Sequence, residues 1–223
     1  MGGGRGRRVP SLASTDCTFS MEETRVKITK IIHYPERILT RKLRDITMLK
    51  NSLVHIYENV FISLEKLSVD CLVPPQNYVL SCELLKKREL KYALEEHGYD
   101  LFNIGGYLEF CLEGDATPIT LLPPIVEESI EADGTVMPII NDGMHRAYLA
   151  RIERRRLEVV FIRGIPKQYP YYAYPVRGEW DKVEIMNNLP TGYIKKWHRI
   201  EDNKKLYRNF DSVFTNCSKP RVA

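Results

Sequence analysis

The stretch from Pro124 to Ile152 constrains the fold more than any other part of this 223-residue chain. Two apolar runs, 124–130 and 136–140, flank Asp133-Gly134, a residue pair typical of tight hairpin turns. The pentapeptide Asp142-Gly143-Met144-His145-Arg146 follows, and the residues after it have the character of a helix to about residue 155. This succession predicts a β-hairpin that passes through a glycine turn directly into a helix.

Such a junction is suited to binding an anion. The first N–H groups of a helix have no partner within it, and partial positive charge gathers at the same end. His145 and Arg146 stand at this entrance, and both side chains can contact phosphate oxygens. We therefore expect the backbone of Gly143 and Met144, with His145 and Arg146, to hold phosphate.

Two residues of the pentapeptide have specific expected roles. Gly143 is expected to permit a positive φ or a close approach of phosphate. Asp142 has two open interpretations: a carboxylate that coordinates Mg²⁺ or holds an attacking hydroxyl, or the N-cap of the helix. With His145 as a donor to developing charge, Asp142 and His145 form the candidate catalytic pair.

Charge and cysteine content narrow the class of protein. Lysine and arginine number 33 against 29 acidic residues, a net charge of +4, and three of the arginines lie in the Gly-Arg tail before residue 9. The rest of the chain is close to neutral, so DNA is not the favoured partner. Five scattered cysteines without a C-x-x-C pair argue against disulfides or a cysteine-based zinc site. No apolar run could span a membrane, and a cytoplasmic location is expected.

The chain divides into four predicted segments with an α/β (α+β) fold and a mixed sheet. They are a disordered basic tail (1–20), an N-terminal strand-helix extension (21–59), the core domain (60–165) and an aromatic-rich C-terminal extension (166–223). Apolar spacing predicts a helix between Leu43 and Ile56 and another that begins at a Ser81 cap. The apolar run 157–162 predicts a buried strand.

The hairpin, the Asp-Gly-x-His-Arg loop, the helix and the strand around Val159-Val160-Phe161 resemble the ParB/sulfiredoxin-like superfamily. The resemblance covers roughly residues 60–164 and is specific over about 119–162. It implies a small α/β fold whose loop after the hairpin binds nucleotide phosphates.

The branches of that superfamily differ in this loop. Chromosome-partition ParB proteins bind and hydrolyse CTP with an arginine-rich version, and sulfiredoxins use a loop cysteine, where this chain has Met144. Free serine kinases carry an Asp-Gly-x-His-Arg loop, which is the closest match. That branch implies ATP or ADP with Mg²⁺, with CTP as the alternative nucleotide.

The chain departs from the kinases at one catalytic position. They place a glutamate after the first strand, and the corresponding place here is Pro74-Pro75-Gln76. Gln76 can orient a hydroxyl but cannot accept its proton, so transfer requires Glu83 or Glu109 instead. The candidate substrate-binding residues are Gln76, Glu83, Glu179 and Trp180. The carboxylates of Glu179 and Asp181, which flank Trp180, are candidates for binding a substrate amine.

Three functions remain open at this point. The leading expectation is a nucleotide-dependent phosphotransferase that acts on a small polar molecule such as a free amino acid. The alternatives are a DNA-associated, nucleotide-dependent regulator of the ParB type and a catalytically inactive interaction domain. The sequence does not predict an oligomeric state.

Overall fold

Strands and helices are mixed along the chain in a way that gives an α+β fold, as predicted. The computed structural model describes residues 26–130, 133–173, 175–176, 178–189 and 203–217. The predicted disordered tail, 1–20, lies outside these ranges. The described elements are β1 (Ile28–Pro35), α1 (Glu36–Leu43), β2 (Thr47–Met48), β3 (Asn51–His55), β4 (Phe61–Leu67), β5 (Tyr78–Leu80), α2 (Ser81–Glu96), β6 (Gly106–Leu112), β7 (Asp115–Leu121), β8 (Ile125–Ile130), β9 (Val136–Asp142), α3 (Met144–Ile152), β10 (Leu157–Arg163), β11 (Glu184–Met186) and β12 (Arg208–Asn209).

The central sheet has four strands in the order β4-β10-β8-β9. β8 and β9 pair in antiparallel fashion on either side of the Asp133-Gly134 turn, which confirms the predicted hairpin. β10 runs parallel to β8 and antiparallel to β4, so the sheet is mixed. Two three-stranded sheets, β1-β6-β7 and β12-β2-β3, and the pair β11-β5 complete the arrangement.

Both faces of the central sheet are buried, because alternate residues of its strands enter two different apolar clusters. Val126, Val159 and Phe161 pack with α2, α3 and β6 on one face. Ile125, Val160 and Ile162 pack with α1 and C-terminal aromatic residues on the other. A strand covered on both sides reads as a continuous apolar run, which is why 157–162 was recognisable as β10.

Aromatic residues after β10 fill the second cluster. Tyr171 and Tyr172 are fully buried, and so are Phe210 and Phe214 from the end of the described chain. The interpretation of the tyrosine run as packing is confirmed for the described part, whereas Tyr174 lies outside it. Phe210 and Phe214 are thus part of the core of this fold.

The helix predicted between Leu43 and Ile56 is wrong. α1 ends at Leu43, and the following residues form β2 and β3, which pair with each other and with β12. Ile46 and Ile56 are buried, but Leu53 is 89% exposed, which a helical apolar stripe would not allow. Strand pairing with a segment near the C-terminus decides the local structure here, and sequence spacing does not record that pairing.

Two further boundaries differ from the prediction. The sequence pattern also favours strand structure from Pro118 onward as part of the hairpin, but residues 118–121 belong to β7, which pairs with β6, and the hairpin begins at Ile125. α2 begins at Ser81 as expected, but Leu80 is its N-cap and the Ser81 hydroxyl donates instead to Asn187 Oδ1 at 2.9 Å. Within the described ranges, no helix is long and apolar enough to cross a membrane.

Candidate functional site

Gly143 forms the turn between β9 and α3 in a conformation that favours glycine. Its φ of 91° and ψ of 18° lie in the left-handed region, which confirms the predicted positive φ. A Cβ at this position would lie 2.7 Å from Pro124 Cβ and 2.9 Å from Pro124 Cα. Gly143 is also the N-cap of α3, and Asp142 is the last residue of β9, so the interpretation of Asp142 as the cap is wrong.

Replacing Gly143 with alanine is expected to destabilise the protein more than the same change at Gly134. Both glycines have positive φ, so each alanine costs about 1–2 kcal/mol of backbone strain. Only Gly143 adds a clash with Pro124, worth roughly a further 1–3 kcal/mol, because nothing lies within 4 Å of the Gly134 position. Urea denaturation measures both losses. Equal losses would contradict the close packing at the turn.

Arg146, in the first turn of α3, is the least satisfied polar residue of the junction. It is 5% exposed, and the atoms Nε and Nη1 are buried without any hydrogen-bond partner. Burial lowers the pKa of Arg146 from its usual value to about 10, and the nearby Asp142 charge opposes this shift. A buried guanidinium with unused donors has the chemistry of an anion-binding group.

His145 connects the amino ends of two helices. Its Nε2 accepts a hydrogen bond of 3.1 Å from the backbone N–H of Leu80, the N-cap of α2. The neutral ring then carries its proton on Nδ1, which is the nitrogen able to donate. The amino ends of α2 and α3, each with its partial positive charge, therefore lie beside the same histidine.

The other two residues of the pentapeptide contribute differently. The Met144 side chain is buried in the core, so only its backbone N–H can serve a ligand. Asp142 is half-buried and close enough to Arg146 for their charges to interact. Among the described residues, no group of three or more histidine, cysteine or acidic side chains could form a metal cluster. Asp142 would thus supply a single protein ligand to a metal.

Gln76 and Glu83 are placed on the two segments next to the junction. Val73 forms a parallel bridge with Ile139, so the chain toward Gln76 runs in the direction of the end of β9. Gln76 is buried, and its Nε2 donates to Tyr78 O at 2.9 Å. Glu83 lies in the first turn of α2 and forms an ion pair of 3.2 Å with Lys86.

The remaining predicted residues lie elsewhere. Glu109 is on β6 and accepts a hydrogen bond from the Tyr34 hydroxyl. Trp180 is buried, and its indole N–H donates to Val69 O at 2.9 Å and Leu72 O at 2.7 Å. It packs beside Tyr148, in the second turn of α3, while Glu179 is exposed. In the described part of the chain, no hydrogen bond or ion pair joins Glu109, Glu179 or Trp180 to the junction.

A buried polar network that sequence reasoning missed lies on the other face of the hairpin. Glu127 and Arg208 are both 0% exposed and form a two-pronged ion pair, with Nη2–Oε2 at 2.7 Å and Nε–Oε1 at 2.9 Å. The Tyr57 hydroxyl and the Asn141 side-chain amide also donate to Glu127 Oε1. Burial raises the pKa of Tyr57 well above its usual value, and the Glu127 charge adds to the rise. The only signal in the sequence is a glutamate inside an apolar strand.

The Arg146 side chain is covered in this structure, whereas Asp142, Gly143 and His145 are partly exposed. One cleft of about 490 Å³ is lined by arginines of α1, and another of about 280 Å³ lies between the β8–β9 hairpin and residues 165–171. Neither of these two clefts is lined by Asp142, His145 or Arg146. An anion would therefore reach the Arg146 guanidinium only after the residues that cover it move.

The fold and the site share one defining feature. The β8–β9 hairpin of a mixed sheet turns through the left-handed Gly143 into α3, which carries the buried Arg146 in its first turn. A family model described as the ParB CE domain matches residues 38–184, about two-thirds of the chain. The chain belongs to this family, and the predicted ParB-like relationship is confirmed. The relationship to free serine kinases stays a prediction. No curated protein and no solved structure matches the chain significantly.

Proposed function

We propose that this ParB-like protein binds the phosphates of a nucleotide at the junction of residues 142–146. The observation that carries the proposal is the Arg146 guanidinium, which is buried with two unpartnered nitrogens. An unsatisfied buried donor costs about 1–3 kcal/mol, and more when it is charged. A bound anion would remove that cost, and the amino end of α3 would add a favourable electrostatic contribution.

The junction favours a phosphate over a single carboxylate as the anion. The planar guanidinium can donate to two oxygens, while the N–H groups at the start of α3, where His145 also lies, can reach others. Asp142 beside these cations fits a bridging Mg²⁺, because that ion is commonly held by one or two carboxylates together with substrate phosphates. ATP or ADP is the proposed nucleotide, with CTP as the alternative.

The finer proposal is transfer of the terminal phosphoryl group to a small polar acceptor such as a free amino acid. It rests on the likeness of the loop to that of free serine kinases. The acceptor hydroxyl oxygen attacks the terminal phosphorus, the bond from that phosphorus to the bridging oxygen breaks, and Glu83 takes the hydroxyl proton. The leaving group is ADP when the donor is ATP, and AMP when the donor is ADP. Glu83 is in the first turn of α2, whose N-cap amide bonds to His145, which supports this assignment.

A nucleotide-dependent, DNA-associated regulator is the second candidate. Arg37 and Arg41 are exposed one turn apart on α1, and no ion pair joins either to an acidic residue of the described ranges. This face supports weak, salt-dependent contact with phosphate backbones. By contrast, Arg151 and Arg155 are engaged by Asp70 and Asp100.

Nucleotide binding can be tested by a thermal-shift screen of ATP, ADP and CTP with and without Mg²⁺. A ligand at a hundredfold its Kd stabilises the native state by about 2.7 kcal/mol. For a chain of this size the expected rise in Tm is roughly 5–10 °C. A response to ATP or ADP favours the transferase, and a response to CTP together with DNA binding favours the regulator. An unchanged Tm with all three nucleotides would contradict the proposed function.

A further inference from the structure

We propose that residues 203–217 act as an internal clamp on the β9–α3 junction, with Arg208 as the positioning residue. Residues 203–217 are called the clamp segment below. The proposal concerns how the junction is held in place. The expected effect on ligand affinity rests on the proposed function. The positioning of the junction by Arg208 does not depend on that function.

Arg208 is the centre of the clamp. Its side chain is 0% exposed and engages Glu127 through two nitrogens. The guanidinium also donates to the backbone carbonyls of Leu206, Tyr169 and Pro170, at 2.5, 2.9 and 3.4 Å. One side chain therefore ties β8 to the segment after β10 and to the clamp segment itself.

Glu127 connects Arg208 to β9, the strand that ends at the junction. Its Oε1 accepts from the side-chain amide of Asn141, the residue directly before Asp142. From the segment after β10, the Tyr171 hydroxyl lies 3.3 Å from Ile140 O and 3.4 Å from Asn141 O, as a shared donor. The side chain of Asn141 is thus held by Glu127, which Arg208 engages, and its main-chain carbonyl is held by Tyr171, which lies outside the hairpin. Asn141 is two residues before the left-handed glycine.

The clamp segment has anchors that do not depend on Arg208. Phe210 and Phe214 are buried in the second apolar cluster. Thr120 N donates to Thr215 O at 3.0 Å, and Leu49 N donates to Tyr207 O at 2.8 Å. A variant that removes the charged pair should therefore leave the clamp segment docked, which isolates the positioning role from the packing role.

The test compares hydrogen exchange in two double variants of the full chain. Arg208→Met/Glu127→Gln removes both buried charges and keeps an oxygen that can accept from Tyr57 and Asn141. Arg163→Met/Glu65→Gln removes a matched Arg–Glu pair of 2.6 Å on the same sheet, which is partly exposed and makes no hydrogen bond or ion pair with the described clamp segment. Exchange is followed by mass spectrometry in peptides that cover residues 141–147 and, separately, α2.

The clamp variant is expected to exchange on the order of tenfold faster at residues 141–147, with a clearly smaller increase in α2. The matched control is expected to exchange like the wild type in both peptides. Wild-type exchange at the junction of the clamp variant would overturn the proposal. An equal acceleration in α2 would also overturn it, because that result shows a general loss of stability without specific positioning.

A nucleotide titration of the same proteins separates this inference from the proposed function. If the wild type binds, the clamp variant should bind at least about tenfold more weakly than the control variant. If the wild type does not bind, the proposed function fails, while the exchange result still decides whether Arg208 positions the junction.

Discussion

Replacing Arg208 with methionine is expected to lower the free energy of unfolding by about 3–5 kcal/mol. The substitution leaves the Glu127 carboxyl without its charged partner in a position where it is 0% exposed, and within the described ranges Tyr57 and Asn141 remain as its donors. It also leaves three backbone carbonyls without the guanidinium that satisfies them. Urea denaturation followed by circular dichroism measures the loss, which is a large share of the 5–15 kcal/mol typical of a folded domain.

Two control variants separate the cost of an unpaired buried charge from the cost of losing a partly exposed ion pair. Adding Glu127→Gln to Arg208→Met should recover part of the loss, because no unpaired charge then remains inside. Arg163→Met breaks a partly exposed pair with Glu65 and should cost about 1 kcal/mol or less. An Arg208→Met loss as small as that of Arg163→Met would show that the buried pair contributes little to stability.

Replacing Arg146 with methionine is expected to have the opposite effect on stability. The free energy of unfolding in the absence of ligand should rise by about 1–3 kcal/mol, because two buried donors without partners are removed. Methionine is unbranched and can occupy the apolar part of the space that the arginine fills. Urea denaturation checks this gain, and a loss of stability would indicate that the guanidinium is satisfied in solution by groups other than a ligand.

The hairpin, the glycine turn and the strand β10 were predictable because each depends on neighbouring residues. Asp133-Gly134 matches a tight turn, and Gly143 precedes a helix at a place where the chain must reverse. The left-handed φ of Gly143 and the pairing of β8 with β9 follow from these local patterns. The family assignment to ParB-like proteins rests on the same segment and was accessible for the same reason.

The parts that could not be predicted depend on residues far apart in the chain. Glu127 and Arg208 are 81 positions apart, and their pairing is set by the docking of the clamp segment. The helix expected after Leu43 failed because β2 pairs with β12, which is also remote in sequence. Burial of Arg146 was missed because an arginine at a helix start is usually exposed to solvent, and only the packed fold shows otherwise.

Calorimetric titration of the nucleotide found in the thermal-shift screen, with Mg²⁺, tests the central claim most directly. The wild type and Arg151→Met should bind alike, since Arg151 lies in the last turn of α3 and pairs with Asp70 and Asp181. Arg146→Met should show no measurable binding while remaining folded. Equal affinity of Arg146→Met and the wild type would contradict the claim that this buried guanidinium receives the phosphate.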